Sequence, residues 1–143
     1  MPRYMIQVRA TPMSEAGEFP DDPTLVARMM AFHEELAHAG VLLDCSGLMP
    51  SSQGFRVRYS AQGEPTVIDG PFAETKELIA GYTLIEVRSR DEALAWARRF
   101  PAPFPGQACD IEVRPLFGGM TDASPEEAAR ELREQLGQIR GER

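Results

Sequence analysis

The stretch of sequence that decides the fold is DGPFAETKE, at residues 69–77. The β-branched residues 66–68 predict a short strand before it, and residues 79–87 predict a longer strand after it. The following proline ring excludes the helical region for Gly70, so the chain must stay extended there before it turns. The stretch is therefore the connection between two strands, and we expect Phe72 to point into the core.

Hydrophobic periodicity predicts the other elements. Residues 3–10 alternate between apolar and polar side chains, as in a half-buried strand, and residues 11–22 are typical of a loop. Apolar residues at helical spacing follow Pro23 until Gly40 caps the helix, and a second helix follows the cap at Ser89. Further strands are predicted at 41–45, 55–59, 65–68, 81–87 and 111–117.

The order of these elements is β-α-β, a hairpin insertion, and β-α-β again. It predicts an α+β fold with the split βαβ layout of a ferredoxin-like antiparallel sheet and both helices on one face. Residues 1–120 form this domain, and residues 121–143 form an extra C-terminal tail. In the tail, Pro125 begins a helix whose narrow apolar stripe includes Leu132. We expect this helix to pack on its own domain or on a neighbouring copy.

Blocks along most of the chain resemble one known family, the DGPF-type branch of the YCII-related proteins. Besides the DGPF stretch, the similar blocks lie at residues 39–43, 47–52, 56–58, 81–87 and 111–117, in family order. The resemblance implies a ferredoxin-like domain of the dimeric α+β barrel type, in which a second copy covers the open sheet face. It also implies a suspected enzymatic role and association with extracytoplasmic-function sigma factors, but no particular reaction.

Composition limits the classes of function. The 143 residues suit one domain, and 43% apolar with 26% charged residues is ordinary for a globular protein. No early stretch looks like a signal peptide and no apolar run is long enough to cross a bilayer, so we expect a cytoplasmic protein without membrane contact. A net charge of −7 disfavours binding to nucleic acid and leaves basic protein partners open.

Asp69 is the first candidate for a catalytic group. A carboxylate at a strand end beside a Gly-Pro turn is held in place and can act at the rim of a pocket. Aspartate before a turn also commonly accepts hydrogen bonds from nearby backbone amides, which is a purely structural role. Glu74, Thr75 and Lys76 offer an acid, a hydroxyl and an ammonium to a ligand, or form an exposed connection. Tyr82 offers a phenol to a ligand, or packs.

His33 is the second catalytic candidate. It lies on the apolar stripe of the first predicted helix, between Met29 and Leu36, so it points at or near the core. A neutral histidine there can act as a general base, with Asp69 or Asp44 orienting its ring. The wider YCII-related group implies such a His-Asp pair. The structural alternative is a hydrogen-bonded histidine at the boundary of the core.

Three arginines are candidates for binding an anion. Strand parity predicts that Arg56, Arg58 and Arg114 gather on one sheet face, where guanidinium groups can hold a carboxylate or a phosphate. Glu86 and Glu112 share that parity. Salt bridges between strands, or across a dimer interface, explain the same residues without a ligand.

Several kinds of site have no support in the sequence. It contains no phosphate-binding loop, no dinucleotide fingerprint, no nucleophile elbow and no metal-ligand pattern, so we predict neither metal nor cofactor. Cys45 and Cys109 are expected to be reduced and mostly packed. The sequence therefore favours a homodimer that binds a small polar or anionic molecule and is either an acid-base enzyme or not an enzyme. The alternative is a noncatalytic regulatory partner of a sigma factor.

Overall fold

The computed structural model describes residues 1–118 and 125–139, in which six strands and four helices are assigned. The strands are β1 (Arg3–Arg9), β2 (Leu42–Gly47), β3 (Phe55–Tyr59), β4 (Pro65–Asp69), β5 (Ile79–Glu86) and β6 (Ile111–Pro115). The helices are α1 (Pro12–Glu15), α2 (Pro23–His38), α3 (Arg90–Arg99) and α4 (Pro125–Ile139). Two short 3-10 turns, Ser51–Gln53 and Thr75–Glu77, lie before β3 and after β4.

Four strands form one antiparallel sheet in the order β2-β5-β1-β6. Directly opposite residues of an antiparallel pair share a face, so Tyr4 opposite Ile85 and Ile6 opposite Thr83 mark one side of this sheet. These four side chains are buried. The mixed α+β fold with an antiparallel sheet, which the sequence predicts, is confirmed.

Helices α2 and α3 pack on that buried side of the sheet. Phe32 and Leu36 of α2 and Ala93 of α3 form one apolar cluster with Ile6 and Ile85 of the strands. Phe32 and Leu36 are four residues apart, so they lie on one face of α2, as the helical periodicity predicts. The core therefore lies between two helices and one face of the sheet.

The other side of the four-stranded sheet is called the open face below. Gln7 lies opposite Tyr82 on one side and Glu112 on the other, and Arg3 lies opposite Glu86. All five side chains are half-buried. The open face thus carries polar groups of both signs at the strand parity that the sequence predicts.

The β3–β4 hairpin does not join this sheet and forms a separate two-stranded sheet. The expectation that Arg56 and Arg58 share a sheet face with Arg114 is therefore wrong. Parity along each strand was assigned correctly, but parity cannot tell which strands hydrogen-bond to one another. That pairing depends on tertiary contacts.

Helix α1 lies inside the segment 11–22, for which a loop was predicted. Thr11 is its N-cap: its hydroxyl accepts a hydrogen bond from the Ser14 amide at 3.2 Å, and the Ser14 hydroxyl accepts one from the Thr11 amide at 2.9 Å. Pro12 occupies the first helical position, where a missing amide hydrogen costs nothing. The Thr-Pro pair was therefore a helix-start signal within an apparent loop.

The tail helix α4 has exposed apolar side chains. Leu132 is 56% exposed and Leu136 is 41% exposed. Residues 119–124 and 140–143 lie outside the described part of the chain, so the packing expected for the whole tail stays a prediction. Among the described residues, no helix has the length and apolar content needed to cross a membrane.

Candidate functional site

The signature stretch, residues 69–77, is anchored by a serine that precedes β3. Ser51 Oγ accepts a hydrogen bond from the Phe72 amide at 3.0 Å and donates one to Glu15 Oε2 of α1. The Ser51 amide donates to the other Glu15 oxygen at 3.0 Å. Ser51 therefore connects α1, the 3-10 turn before β3 and the signature stretch.

A close approach between two backbone segments explains the glycine at position 70. A Cβ on Gly70 would lie 1.8 Å from the carbonyl oxygen of Ser51 and 2.6 Å from its carbonyl carbon. The Gly70 amide also donates to the Gly54 carbonyl at 3.0 Å. The Gly70–Pro71 peptide bond is cis. Any larger residue at position 70 would have to push the backbone at Ser51 away.

The turn Thr75–Glu77 forms one wall of a half-open cleft of about 740 Å³. The second wall is the end of β1 with the start of α1, and the third is the segment that leads into β6. The lining residues are Arg9, Ala10, Thr11, Pro12, Thr75, Lys76, Gln107, Ala108, Cys109, Asp110, Ile111 and Glu112. The signature stretch thus meets two segments that are far from it in sequence.

The cleft carries two cations and two acids. Arg9 Nη1 lies 3.3 Å from Glu112 Oε1, and both side chains are partly exposed, so this ion pair is screened by water. Lys76 is exposed and is the only lysine of the sequence. Within residues 1–118 and 125–139, neither Lys76 nor the Asp110 carboxylate has a side-chain partner. The cleft therefore presents an ammonium and a carboxylate that a ligand can contact.

Of the candidates in the signature stretch, Lys76 and Thr75 line the cleft. Glu74 is exposed just before the 3-10 turn and makes no capping hydrogen bond. Asp69 is exposed at the end of β4, and among the described residues its carboxylate has no hydrogen bond or ion pair. The side chain that accepts a hydrogen bond from a backbone amide of this turn is therefore Ser51, and not Asp69 as expected.

His33 is held by two partners that are not carboxylates. Its Nδ1 lies 2.8 Å from the Met29 carbonyl oxygen, and because a carbonyl only accepts, Nδ1 carries the proton. Its Nε2 lies 2.8 Å from the buried Thr83 hydroxyl, which can either donate or accept a hydrogen bond. Neither Asp69 nor Asp44 orients the ring, so the geometry matches the structural alternative for His33.

Asp44 is hydrogen-bonded to Tyr82 on the open face. The Tyr82 hydroxyl donates to Asp44 Oδ2 at 2.8 Å, and the Cys45 amide donates to Asp44 Oδ1 at 2.8 Å. The hydrogen bond to Asp44, assisted by partial desolvation and by the negative charge of Asp44, raises the pKa of Tyr82 above its ordinary value of 10.0. Tyr82 is therefore a neutral hydrogen-bond donor on the open face, outside the cleft.

The structure separates the three candidate arginines. Arg56 lies on the hairpin with its guanidinium 3.9 Å from the centroid of the Phe72 ring. Arg58 is exposed on the same strand, and Arg114 lies on β6 opposite Met5. Phe72, expected in the core, is half-buried under Arg56.

Sequence reasoning missed four residues of this region. Arg9 and Asp110 line the cleft, and Glu15 and Ser51 anchor the signature stretch. The Thr11 cap could have revealed α1 and hence the end of β1 at the cleft. No local signal marks Ser51, because its role depends on contacts with two distant segments.

Other features of the described residues give less support for a functional site than the cleft does. A hollow of about 300 Å³ lies between α2 and the end of α3, where Glu35 and Arg99 pair with each other across its edge. Cys45 is exposed, contrary to the expectation of a packed thiol, and Cys109 is half-buried; neither forms a disulfide. No group of three or more potential metal ligands occurs in residues 1–118 and 125–139.

Comparison with known proteins gives a family, a relative in sequence and a structure of similar fold. A family model described as the YCII-related domain matches residues 2–117. An uncharacterized protein of Rhizobium meliloti (strain 1021) is 40% identical over 96 residues, or 67% of this chain and 76% of that protein. A solved structure of 5-chloro-2-hydroxyhydroquinone dehydrochlorinase (TftG) from Burkholderia phenoliruptrix AC1100, in complex with 2,5-dihydroxybenzoquinone, is similar at 15% identity and a TM-score of 0.45, covering 85% of this chain and 99% of that chain. The family match includes every residue that lines the cleft.

Proposed function

The chain belongs to the YCII-related family, and from that premise we propose that it binds a small polar or anionic molecule in the cleft beside the signature stretch. Within the family we assign it to the DGPF-type branch, because residues 69–72 are DGPF. The cytoplasmic location expected from the sequence stays a prediction. The strand order β2-β5-β1-β6, with α2 and α3 on one face, supports a ferredoxin-like arrangement.

The observation that carries the proposal is the position of Lys76. The only lysine of the sequence lies in the signature stretch and faces a cleft of about 740 Å³. That volume falls within the range typical of sites for small molecules. An ammonium without an acidic partner in the described residues is available to bind a carboxylate or a phosphate of a ligand.

The other charges of the cleft restrict the ligand. Arg9 can add a bidentate contact only if the ligand competes with Glu112, which lies 3.3 Å from it. Asp110 repels a second negative charge near the entrance to β6. A molecule with one anionic group and a polar or cationic remainder therefore fits this set of side chains better than a polyanion.

Catalysis in the cleft would use the carboxylates that line it. Asp110 and Glu112 are lining residues, whereas His33 and Asp69 are not. The proposed catalytic roles of His33 and Asp69 would require a substrate to displace Thr83 from His33 or to reach the hairpin end at Asp69. We therefore propose ligand binding as the function and leave any reaction to the ligand that is found.

We also propose that the protein is a homodimer that buries the open face. Two helices cover one side of the four-stranded sheet, and the other side carries half-buried polar groups of both signs. A face of this kind can pair with its own copy across a two-fold axis.

The experiment is a thermal-shift screen with inorganic phosphate and a series of small monocarboxylates whose remainder is polar or cationic. We expect at least one compound to raise the Tm of the wild-type chain, since a ligand that binds only the folded state stabilises it. Lys76→Gln should abolish most of that rise, and Lys76→Arg should keep it because the positive charge remains.

Arg58→Gln is the matched control, since it removes an exposed cation of the hairpin outside the cleft. A rise in Tm that remains in Lys76→Gln but is lost in Arg58→Gln would contradict a binding site in the cleft and would indicate a site on the hairpin. If none of the compounds shifts the Tm, the proposal fails, and the alternative of a regulatory partner protein without a ligand gains weight.

A further inference from the structure

The cleft holds one free cation and one free anion. Arg9 and Glu112 pair with each other at 3.3 Å, so their charges largely cancel. Lys76 and the Asp110 carboxylate, in contrast, have no side-chain partner within the described part of the chain, and both side chains are exposed. The charges left for a ligand are therefore one ammonium and one carboxylate.

These two groups belong to opposite walls of the cleft, with the end of β1 between them. The Arg9 amide donates to the Asp110 carbonyl at 3.1 Å. The next amide, that of Ala10, donates to the Leu78 carbonyl at 3.0 Å. Strand β1 lies between β5 and β6, and Leu78 leads into β5 while Asp110 leads into β6. Neighbouring strands lie about 4.8 Å apart, so the two outer backbones lie roughly 10 Å apart.

The two charged groups leave room for a short ligand between them. Lys76 is two residues before Leu78, and both Lys76 and Asp110 line the cleft. Among the ion pairs of the described residues, none joins Lys76 to Asp110. A molecule of a few carbon atoms with a charge at each end can therefore contact both walls.

The exposure of both groups makes a second contact important. An ionic contact at the surface is weak, because water and salt screen the charges. A simple carboxylate that contacts Lys76 gains only this weak contact and is repelled by Asp110. An ammonium at the other end of the same molecule replaces that repulsion with attraction. The charges of the cleft therefore discriminate between a carboxylate with an amino group and one without.

We propose that the cleft selects short zwitterions, with Lys76 binding the carboxylate and Asp110 binding the ammonium. This inference rests on the proposed function, in which Lys76 binds the anionic group, and it adds the second charge of the ligand and the residue that binds it. Amino acids with the amino group at the end of a short chain, such as β-alanine and γ-aminobutyrate, have this chemistry. Asp110 is then the residue that determines specificity.

The test compares each amino acid with the carboxylate of the same length. β-Alanine is paired with propionate, and γ-aminobutyrate with butyrate, in NMR titrations at neutral pH and constant ionic strength. At one chain length or both, we expect the amino acid to have a Kd at least about threefold lower than its partner. Asp110→Asn should abolish this difference while the simple carboxylate binds as well as before or better, and Asp110→Glu should keep the difference.

Asp91→Asn is the matched control, since it removes an exposed carboxylate of α3 outside the cleft. It should leave both dissociation constants unchanged. The Asp110 side chain is exposed and only its backbone carbonyl bonds β1, so we expect Asp110→Asn to fold, and circular dichroism checks this.

Two results would overturn the zwitterion and leave the proposed function in place. One is equal affinity of the amino acid and its partner at both lengths, with both weakened by Lys76→Gln. The other is a preference for the amino acid that persists in Asp110→Asn, because the ammonium would then be bound elsewhere. If neither amino acid binds, the inference also fails, and the proposed function fails with it only when phosphate and the other compounds of the screen leave the Tm unchanged.

Discussion

Gly70 shows how one residue of the signature stretch is fixed by sterics. Its missing Cβ leaves room for the Ser51 carbonyl, which would otherwise lie 1.8 Å away. The clash is with backbone, which cannot move aside as a side chain can. We expect Gly70→Ala to lower the free energy of unfolding by about 2 kcal/mol or more, measured by urea denaturation.

Gly54→Ala is the control for this substitution. A Cβ on Gly54 would meet the same Ser51 carbonyl oxygen at 3.7 Å, an ordinary contact, and Gly54 has an extended backbone with φ −118°. The Gly54→Ala variant should be as stable as the wild type or slightly more stable, because alanine reduces the entropy of the unfolded chain. Equal losses for the two variants would show that the close approach at Gly70 is not the cause.

The Tyr82–Asp44 pair on the open face makes the stability of the fold depend on pH. The raised pKa of Tyr82 means that the folded state holds the phenol proton more tightly than the unfolded state does. The resulting stability is fully present below the unfolded value of about 10 and is lost as the pH rises through the folded pKa. Asp44→Asn removes the negative charge, so the pKa of Tyr82 should move down toward 10.

Ultraviolet absorbance of tyrosinate measures this change during an alkaline titration. The sequence has three tyrosines, and Tyr82→Phe identifies the titration step that belongs to Tyr82. That step should occur at lower pH in Asp44→Asn than in the wild type. A step at the same pH in both would mean that Asp44 does not control the phenol.

Among the contacts between elements, the hydrogen-bonded connection of α1 with the signature stretch can be tested most simply. Ser51 Oγ bonds both the Phe72 amide and the Glu15 carboxylate. Ser51→Ala removes the acceptor of the Phe72 amide and one of the two donors to Glu15, whose other oxygen still accepts from the Ser51 amide, and should cost about 1–3 kcal/mol. Ser52→Ala, at an exposed neighbouring position, should change stability by less than about 0.5 kcal/mol.

Hydrogen exchange adds a local readout for the same pair of variants. The Phe72 amide should exchange faster in Ser51→Ala, because its acceptor is gone, and at the wild-type rate in Ser52→Ala. Unchanged protection of the Phe72 amide in Ser51→Ala would show that the hydrogen bond does not hold the turn.

The elements that the sequence predicted well are those with a local physical cause. The alternation of β1 was confirmed by the burial of Tyr4 and Ile6. The start of α3 was confirmed as well, since the Ser89 hydroxyl accepts from the Glu92 amide at 3.2 Å. The Glu92 carboxylate, however, accepts from the Arg88 amide and not from Ser89. Local patterns thus fixed the element and left its side-chain contacts open.

At the scale of the whole molecule, the sheet pairing and the cleft could not be predicted from local patterns. Arg56 and Arg114 had matching parity, but their strands belong to different sheets. Arg9, Lys76 and Asp110 meet at the cleft from segments far apart in the chain. Lys76 is distinguished by its place in the signature stretch, whereas Arg9 and Asp110 have no local feature that separates them from other surface charges.

Amide chemical-shift mapping with the best compound of the screen locates the ligand that we propose for the cleft. We expect the largest shifts at the amides of residues 9–11, 75–76 and 107–112, which line the cleft, and we expect these shifts to disappear in Lys76→Gln. Shifts centred instead on Tyr82 and Asp44 of the open face, or on the hollow between α2 and α3, would contradict the claim.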